Sequence, residues 1–157
     1  MAGRAMAQET HLFSLESVWT GDSDGEGVLK TGAGELPYGV PPQFGGPEGR
    51  VNPEELLLAA VASCYSITLA LLAERKRLPL RRVELRLEGE VERQPGGTLR
   101  FAAIRIRPRV VLADADDAQL LAAEDSAHKA EQYCVISNAV RGKVQLTVEP
   151  EVVSEPV

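Results

Sequence analysis

NPEELLLAAVASCYSITLALL, residues 52–72, is the longest apolar run in the chain and carries a cysteine, Cys64, near its middle. Pro53 needs no backbone donor at a first helical position, and Glu54 and Glu55 complement the exposed N–H groups of a first turn, so the stretch predicts a helix. Residues 56–62 and 67–73 are apolar on every side except at Thr68, the pattern of a helix buried all round. Ser63, Cys64, Tyr65, Ser66 and Thr68 place a thiol and hydroxyls at its centre. Buried polar groups need partners, so that centre is either an internal hydrogen-bond cluster or a site.

The rest of the chain is read outward from this helix. With 157 residues, 44% of them hydrophobic, the expectation is one domain over residues 1–157, with an ordered core about 11–149. The net charge of −6 and an aromatic content of 4% argue against binding nucleic acid or an anionic membrane, which call for basic surface and stacking rings. Residues 1–10 lack the apolar core of a signal peptide. The helix run is broken by hydroxyls and flanked by acids, so no membrane span is expected and the protein is placed in the cytoplasm. Two cysteines in a reducing compartment are more often free, catalytic or redox-active than a structural staple.

Before the helix, residues 12–20 and 27–31 have strand patterns separated by turn residues at 21–25, a hairpin. Residues 32–50 are rich in glycine and proline, with Leu36-Pro37-Tyr38-Gly39 as the one plausible strand; a loop of this length tends to serve function. After the helix, Val83, Leu85, Leu87 and Val91 alternate with charged residues. A second strand sets Ile104, Ile106, Val110 and Leu112 against Arg105, Arg107 and Arg109. Pro108 cannot donate to a ladder and predicts an edge strand or a bulge. Residues 114–117 offer N-caps for an amphipathic helix through Leu120, Leu121, Ala123, Ala127 and Ala130 that ends near Cys134. Residues 144–148 alternate as a last strand, and the acidic run 149–155 reads as a solvated tail. This order is α+β with mostly antiparallel pairing.

Three readings of Cys64 and Cys134 stand side by side. They are small apolar fillers, since free cysteine is among the most buried residue types. They belong to a metal site with His11 and His128, although no ligand spacing supports it and no metal is assigned. Or they form a redox pair, one thiolate attacking and the other resolving the product as a disulfide, with no cofactor.

The runs LPYG at 36–39, PEGRVNPEELLLAAVASCYSITLALL at 47–72 and AHKAEQYCVISNAVRGKVQLTV at 127–148 resemble the OsmC/Ohr family of thiol peroxidases, over roughly residues 12–148. The resemblance implies an OsmC-like fold, mostly antiparallel strands around a buried central helix, in an intertwined homodimer. It implies reduction of organic hydroperoxides to alcohols, with a dithiol reductant such as a lipoylated protein. Carried over by position, Cys64 is the peroxidatic cysteine that becomes a sulfenic acid, Cys134 the resolving cysteine that closes the disulfide, and Glu54 the acidic residue of the motif. Glu54 and Cys64 lie ten residues apart on one helix, about 15 Å, so Glu54 serves a thiol only across a subunit interface.

The family's activating arginine sits in the first hairpin turn or in the loop after PYG. Here those places hold GDSDGE at 21–26 and Pro41-Pro42-Gln43-Phe44, with Gln43 as the best match. Arg50, Lys129 and Arg141 are the candidate substitutes. Tyr65 and Tyr133 either line a pocket for a peroxide tail or pack, and His128 reads as solvated or capping. Two rivals accompany the peroxidase reading: an OsmC-fold protein with a retained pocket that binds an apolar ligand or acts on another electrophile because the arginine is absent, and a structural protein with inert thiols.

Overall fold

A computed structural model describes residues 8–157; the loose end expected over residues 1–9 lies, through residue 7, outside the described residues. The chain divides into two compact units, one ending at Pro53 and the other running from Glu54 to Val157.

The first unit is an antiparallel sheet of β1 (Glu16–Thr20), β2 (Glu26–Thr31) and β3 (Gly34–Tyr38) in that spatial order, so the expected hairpin gains LPY as its third strand. Gly27 pairs with Tyr38 across the sheet, and any side chain at 27 would strike the Tyr38 ring. That ring stacks on Trp19 with centroids 5.8 Å apart, and its hydroxyl meets Ser17 Oγ at 2.7 Å. The following loop makes a 3₁₀ turn at Pro42–Phe44 and returns to β3, Gly39 N–H donating to the Val51 carbonyl at 3.0 Å. Arg50 then pairs with Glu26.

The second unit holds α1 (Pro53–Arg75), β4 (Leu80–Arg93), β5 (Leu99–Ala113), α2 (Asp117–Tyr133), α3 (Val135–Val140), β6 (Gln145–Val148) and β7 (Glu151–Glu155). β5 is central. β4 runs antiparallel to it on one side, and β6 and β7 run parallel along successive stretches of the other. Among the described residues, three of the five strand pairings are thus antiparallel. Ile104, Ile106, Val110 and Leu112 of β5 form the core with Val61, Tyr65 and Leu69 of α1 and Ala123, Ala127 and Ala130 of α2. Alanines on α2 allow close approach to the sheet. A full capping box starts that helix, Gln119 N–H donating to Asp116 Oδ1 at 2.8 Å and Asp116 N–H to Gln119 Oε1 at 3.0 Å.

Four expectations need correction. Pro108 lies neither at an edge nor at a bulge: it is buried in the central strand opposite Leu85, and the register shifts fall at Leu80/Arg82 and Glu90/Val91. Ile106 turns its carbonyl toward β6 and β7, accepting from Glu149 N–H at 2.9 Å, and residue 108, two further on, faces the same side. There the neighbouring strand is itself interrupted between β6 and β7, so the missing donor meets a gap. Residues 151–155 are not a solvated tail but β7, paired with residues 109–113, with both Glu155 carboxylate oxygens 2.8 Å from the Arg82 guanidinium. Helix α1 is not enclosed all round in this chain. Val61, Tyr65, Leu69 and Ala73 recur every fourth residue on the buried side, whereas Ile67 is 63% and Leu71 49% exposed. Finally, its 23 residues with mean hydropathy 2.2 over the best window are long and apolar enough by composition to cross a membrane, although one face packs on a sheet.

Candidate active site

Cys64 is partly exposed on α1, one helical turn before Thr68, whose hydroxyl donates to the Cys64 carbonyl at 2.8 Å and helps to lower the Cys64 pKa. Cys134 is fully buried where α2 ends. Its extended backbone (φ −71°, ψ 119°) breaks the helical run and makes it the N-cap of α3, with Ser137 N–H donating to its sulfur at 3.4 Å. Both thiols are free and near enough that each shifts the other's ionisation. The first N–H groups of α3, from Val135 and Ile136, reach the Cys64 sulfur.

This arrangement separates the two thiols electrostatically. Burial raises the Cys64 pKa, but hydrogen bonds from Cys134, Ile136 N–H, Thr68 and Val135 N–H outweigh it, and the thiol lies below its ordinary value. Burial also raises the Cys134 pKa, the contact with Cys64 adds to it, and Ser137 and Ile136 offset only part, leaving it above its ordinary value. Cys64 therefore loses its proton first, and Cys134 donates to the resulting thiolate. Among the described residues, no charged side chain figures in either balance.

The candidate substitute cations are engaged with carboxylates. Arg50 pairs with Glu26, and Lys129 Nζ lies 2.9 Å from Asp125. Arg141 Nη2 lies 2.7 Å from the buried Glu131 Oε1, an ion contact without an aligned hydrogen bond to that oxygen. Arg141 also donates to the Glu131 carbonyl and to Asn138 Oδ1, each at 3.2 Å. It thereby ties α3 to the last turn of α2 and holds the segment that carries Cys134.

Of the remaining sequence candidates, Glu54 stands in the first turn of the unbroken α1, about 15 Å along the axis from Cys64. Its Oε2 is enclosed without a hydrogen-bond partner among the described residues. Gln43 is exposed in the 3₁₀ turn of the first unit. Tyr65 faces the core: it is fully buried and donates its hydroxyl to the Ala127 carbonyl at 2.6 Å. Tyr133 is 62% exposed beside Cys134. His128 is exposed on α2, and His11 Nε2 meets Glu9 at 2.7 Å. Thr68 belongs to the polar centre read from the sequence, whereas Ser137 and the Val135 and Ile136 amides were not among its site candidates. Their signal was spacing: a hydroxyl one turn after each cysteine, at 64/68 and 134/137.

Comparisons with known proteins agree with this architecture. A family profile described as "OsmC-like protein" matches residues 45–149. The uncharacterized protein YmaD of Bacillus subtilis is 36% identical over 143 residues, covering 90% of this chain and 95% of the relative. An organic hydroperoxide resistance protein of Xanthomonas axonopodis pv. citri is 29% identical over 142 residues, 89% of this chain and 95% of its own length. The crystal structure of an organic hydroperoxide resistance protein OsmC from Legionella pneumophila superposes with a TM-score of 0.74 at 23% identity, covering 91% of this chain and 100% of that one.

Proposed function

Because this chain belongs to the OsmC-like protein family, we propose that it is a cofactor-free thiol peroxidase that reduces organic hydroperoxides to alcohols. The observation that carries this reading is a pair of free thiols that act on each other's ionisation, with pKa values pushed apart and the lower belonging to the more exposed one. An unshifted thiol near pKa 8.5 is only a few per cent thiolate at neutral pH, so the neutral donors on Cys64 raise the fraction able to attack. The Cys64 thiolate takes the terminal peroxide oxygen. The O–O bond breaks, the alcohol leaves after gaining a proton, and Cys64 becomes a sulfenic acid. The Cys134 thiolate then attacks the Cys64 sulfur and expels hydroxide, closing the disulfide, and an external dithiol, of which a lipoylated protein is an example, restores both thiols while becoming a disulfide itself.

Several features support the finer points. Ile67 and Leu71 lie three and seven residues beyond Cys64 on the same helical face and are exposed, as are Tyr133 and Val135 beside Cys134. Such an apolar surround favours a hydroperoxide with a hydrocarbon tail. The open apolar face of α1 and the unsatisfied Glu54 oxygen support a homodimer, in which Glu54 contributes to the partner's site. The reducing cytoplasm is the compartment in which such a dithiol pair is kept ready.

A second reading draws on the neutral character of the main contributions at Cys64: the same pocket binding an apolar ligand or acting on another electrophile. Intact mass after one equivalent of cumene hydroperoxide separates the two. The peroxidase loses a pair of hydrogen atoms per chain, and Cys64→Ser or Cys134→Ser abolishes that loss; an unchanged mass at neutral pH in folded protein eliminates the peroxidase and leaves the second reading.

A further inference from the structure

Ser137 is fully buried in α3, and its Oγ has no hydrogen-bond partner among the described residues in the dithiol state. A buried hydroxyl without a partner is a cost, unless a partner appears at some step of the cycle. Its backbone N–H already donates to the Cys134 sulfur at 3.4 Å, with Cys134 in the N-cap position usually held by serine, threonine, aspartate or asparagine. The orphan hydroxyl belongs to the same residue whose N–H already sits on that sulfur, and it draws the Cys134 pKa down against burial. A neutral thiol sulfur is a weak acceptor and a thiolate a strong one. The sulfur beside this orphan hydroxyl would thus reward a second donor only when charged.

We propose that Ser137 is the positioning residue for Cys134, its O–H and N–H together holding that sulfur whenever it carries negative charge. The proposal rests on the peroxidase reading and deepens it. Charge reaches Cys134 twice per turnover. In closing, the Cys134 thiolate attacks the Cys64 sulfenic sulfur; the S–S bond forms, the S–O bond breaks, and hydroxide leaves to be protonated to water. In reopening, a thiolate of the external dithiol attacks Cys64, the more exposed sulfur. The S–S bond then breaks, its electron pair departs with Cys134, and the second reductant thiol expels Cys64 from the mixed disulfide. Among the described residues the main contributions at Cys134 are neutral, so the hydroxyl supplies the stabilisation that a cation would otherwise supply.

The test isolates Cys134 as the only thiol, in Cys64→Ser protein, and follows its titration by ultraviolet thiolate absorbance. Adding Ser137→Ala raises the midpoint by about one pH unit, a tenfold loss of thiolate below it, while Ser137→Thr, which keeps the hydroxyl, restores it. An unmoved midpoint in folded Ser137→Ala protein overturns the proposal. So does an equal rise in the threonine variant, because that effect would be packing alone. In the chain with both cysteines, Ser137→Ala slows disulfide closure after cumene hydroperoxide and lengthens the life of the Cys64 sulfenic acid, trapped with dimedone, without slowing its formation. A wild-type protein that forms no disulfide with hydroperoxide sinks the peroxidase reading, and the titration still decides the role of Ser137.

Discussion

The two faces of the β4–β5–β7 sheet use polarity in opposite ways. On the outer face, arginines and glutamates form a cross-strand lattice. Arg109 Nη1 lies 3.2 Å from Glu84 and Arg100 Nη2 3.0 Å from Glu92; Arg107 binds Glu149 at 3.0 Å and also pairs with Glu88, while Arg105 pairs with Glu90. Arg109 also lies 3.6 Å from Glu151, and Arg82 binds Glu155 at 2.8 Å, so the lattice fastens β7. On the inner side, beneath α1 and α2, the thiol pair is served by backbone amides and hydroxyls. Exposed ion pairs in water are worth little individually, since solvent screens them and long side chains lose freedom. A neutral N–H or O–H aimed at an enclosed sulfur keeps its strength, because little water competes for it. The outer face is laced with arginines, yet the main donors at the reactive thiol are uncharged.

The largest effect that could break this contrast is chemical: Cys64→Ser eliminates hydroperoxide consumption, whereas Cys134→Ser permits one sulfenic acid per chain and then stalls, as counted by dimedone adducts. If Cys134→Ser turned over at the wild-type rate, the pairing would be incidental. Next in size, Leu69→Ala removes a core side chain from the buried face of α1 and lowers stability by about 2–5 kcal/mol in urea titrations. Cost near zero would mean that the inner face is not where the unit is held.

The pH dependence sharpens the comparison further. The lowered Cys64 pKa keeps its thiolate present as pH falls below the ordinary thiol range, and the raised Cys134 pKa delays its own ionisation until pH rises above it. Iodoacetamide labelling mapped by peptide mass thus shows Cys64 reacting at lower pH than Cys134; the reverse order would overturn the assignment of nucleophile and resolver. Thr68→Val, which removes one of the donors on Cys64, moves the Cys64 labelling midpoint upward by about half a unit. Smallest of all, Arg107→Gln on the outer lattice leaves both that midpoint and the urea unfolding midpoint unchanged within measurement.

Much of this was readable without coordinates. The NPEEL start and apolar run of α1, the alternation in β4 and β5, and the caps of α2 are local signals, set by backbone donors, rotamer preferences and the two periodicities of side-chain direction. The quoted motifs also marked Cys64 and Cys134 as a pair. What escaped was whatever depends on a neighbour distant in sequence. EVVSE at 151–155 carries no period-two signal, and it becomes a strand because β5 offers an open edge and Arg82 and Arg109 neutralise its ends. Pro108 sits in a central strand because the break between β6 and β7 falls beside it.

The sequence by itself determined α1, α2, the alternating strands β4 and β5 and the identity of two thiols, because these follow from residue type and spacing along one chain. Only the tertiary structure decided which face of α1 is covered, that Tyr65 turns into the core rather than toward the site, and that Cys64 meets Cys134 and the first amides of α3. Those outcomes depend on packing between segments some 70 positions apart. No local propensity encodes where a sulfur will find its donors, and it is the donors that make one cysteine the nucleophile and the other its resolver.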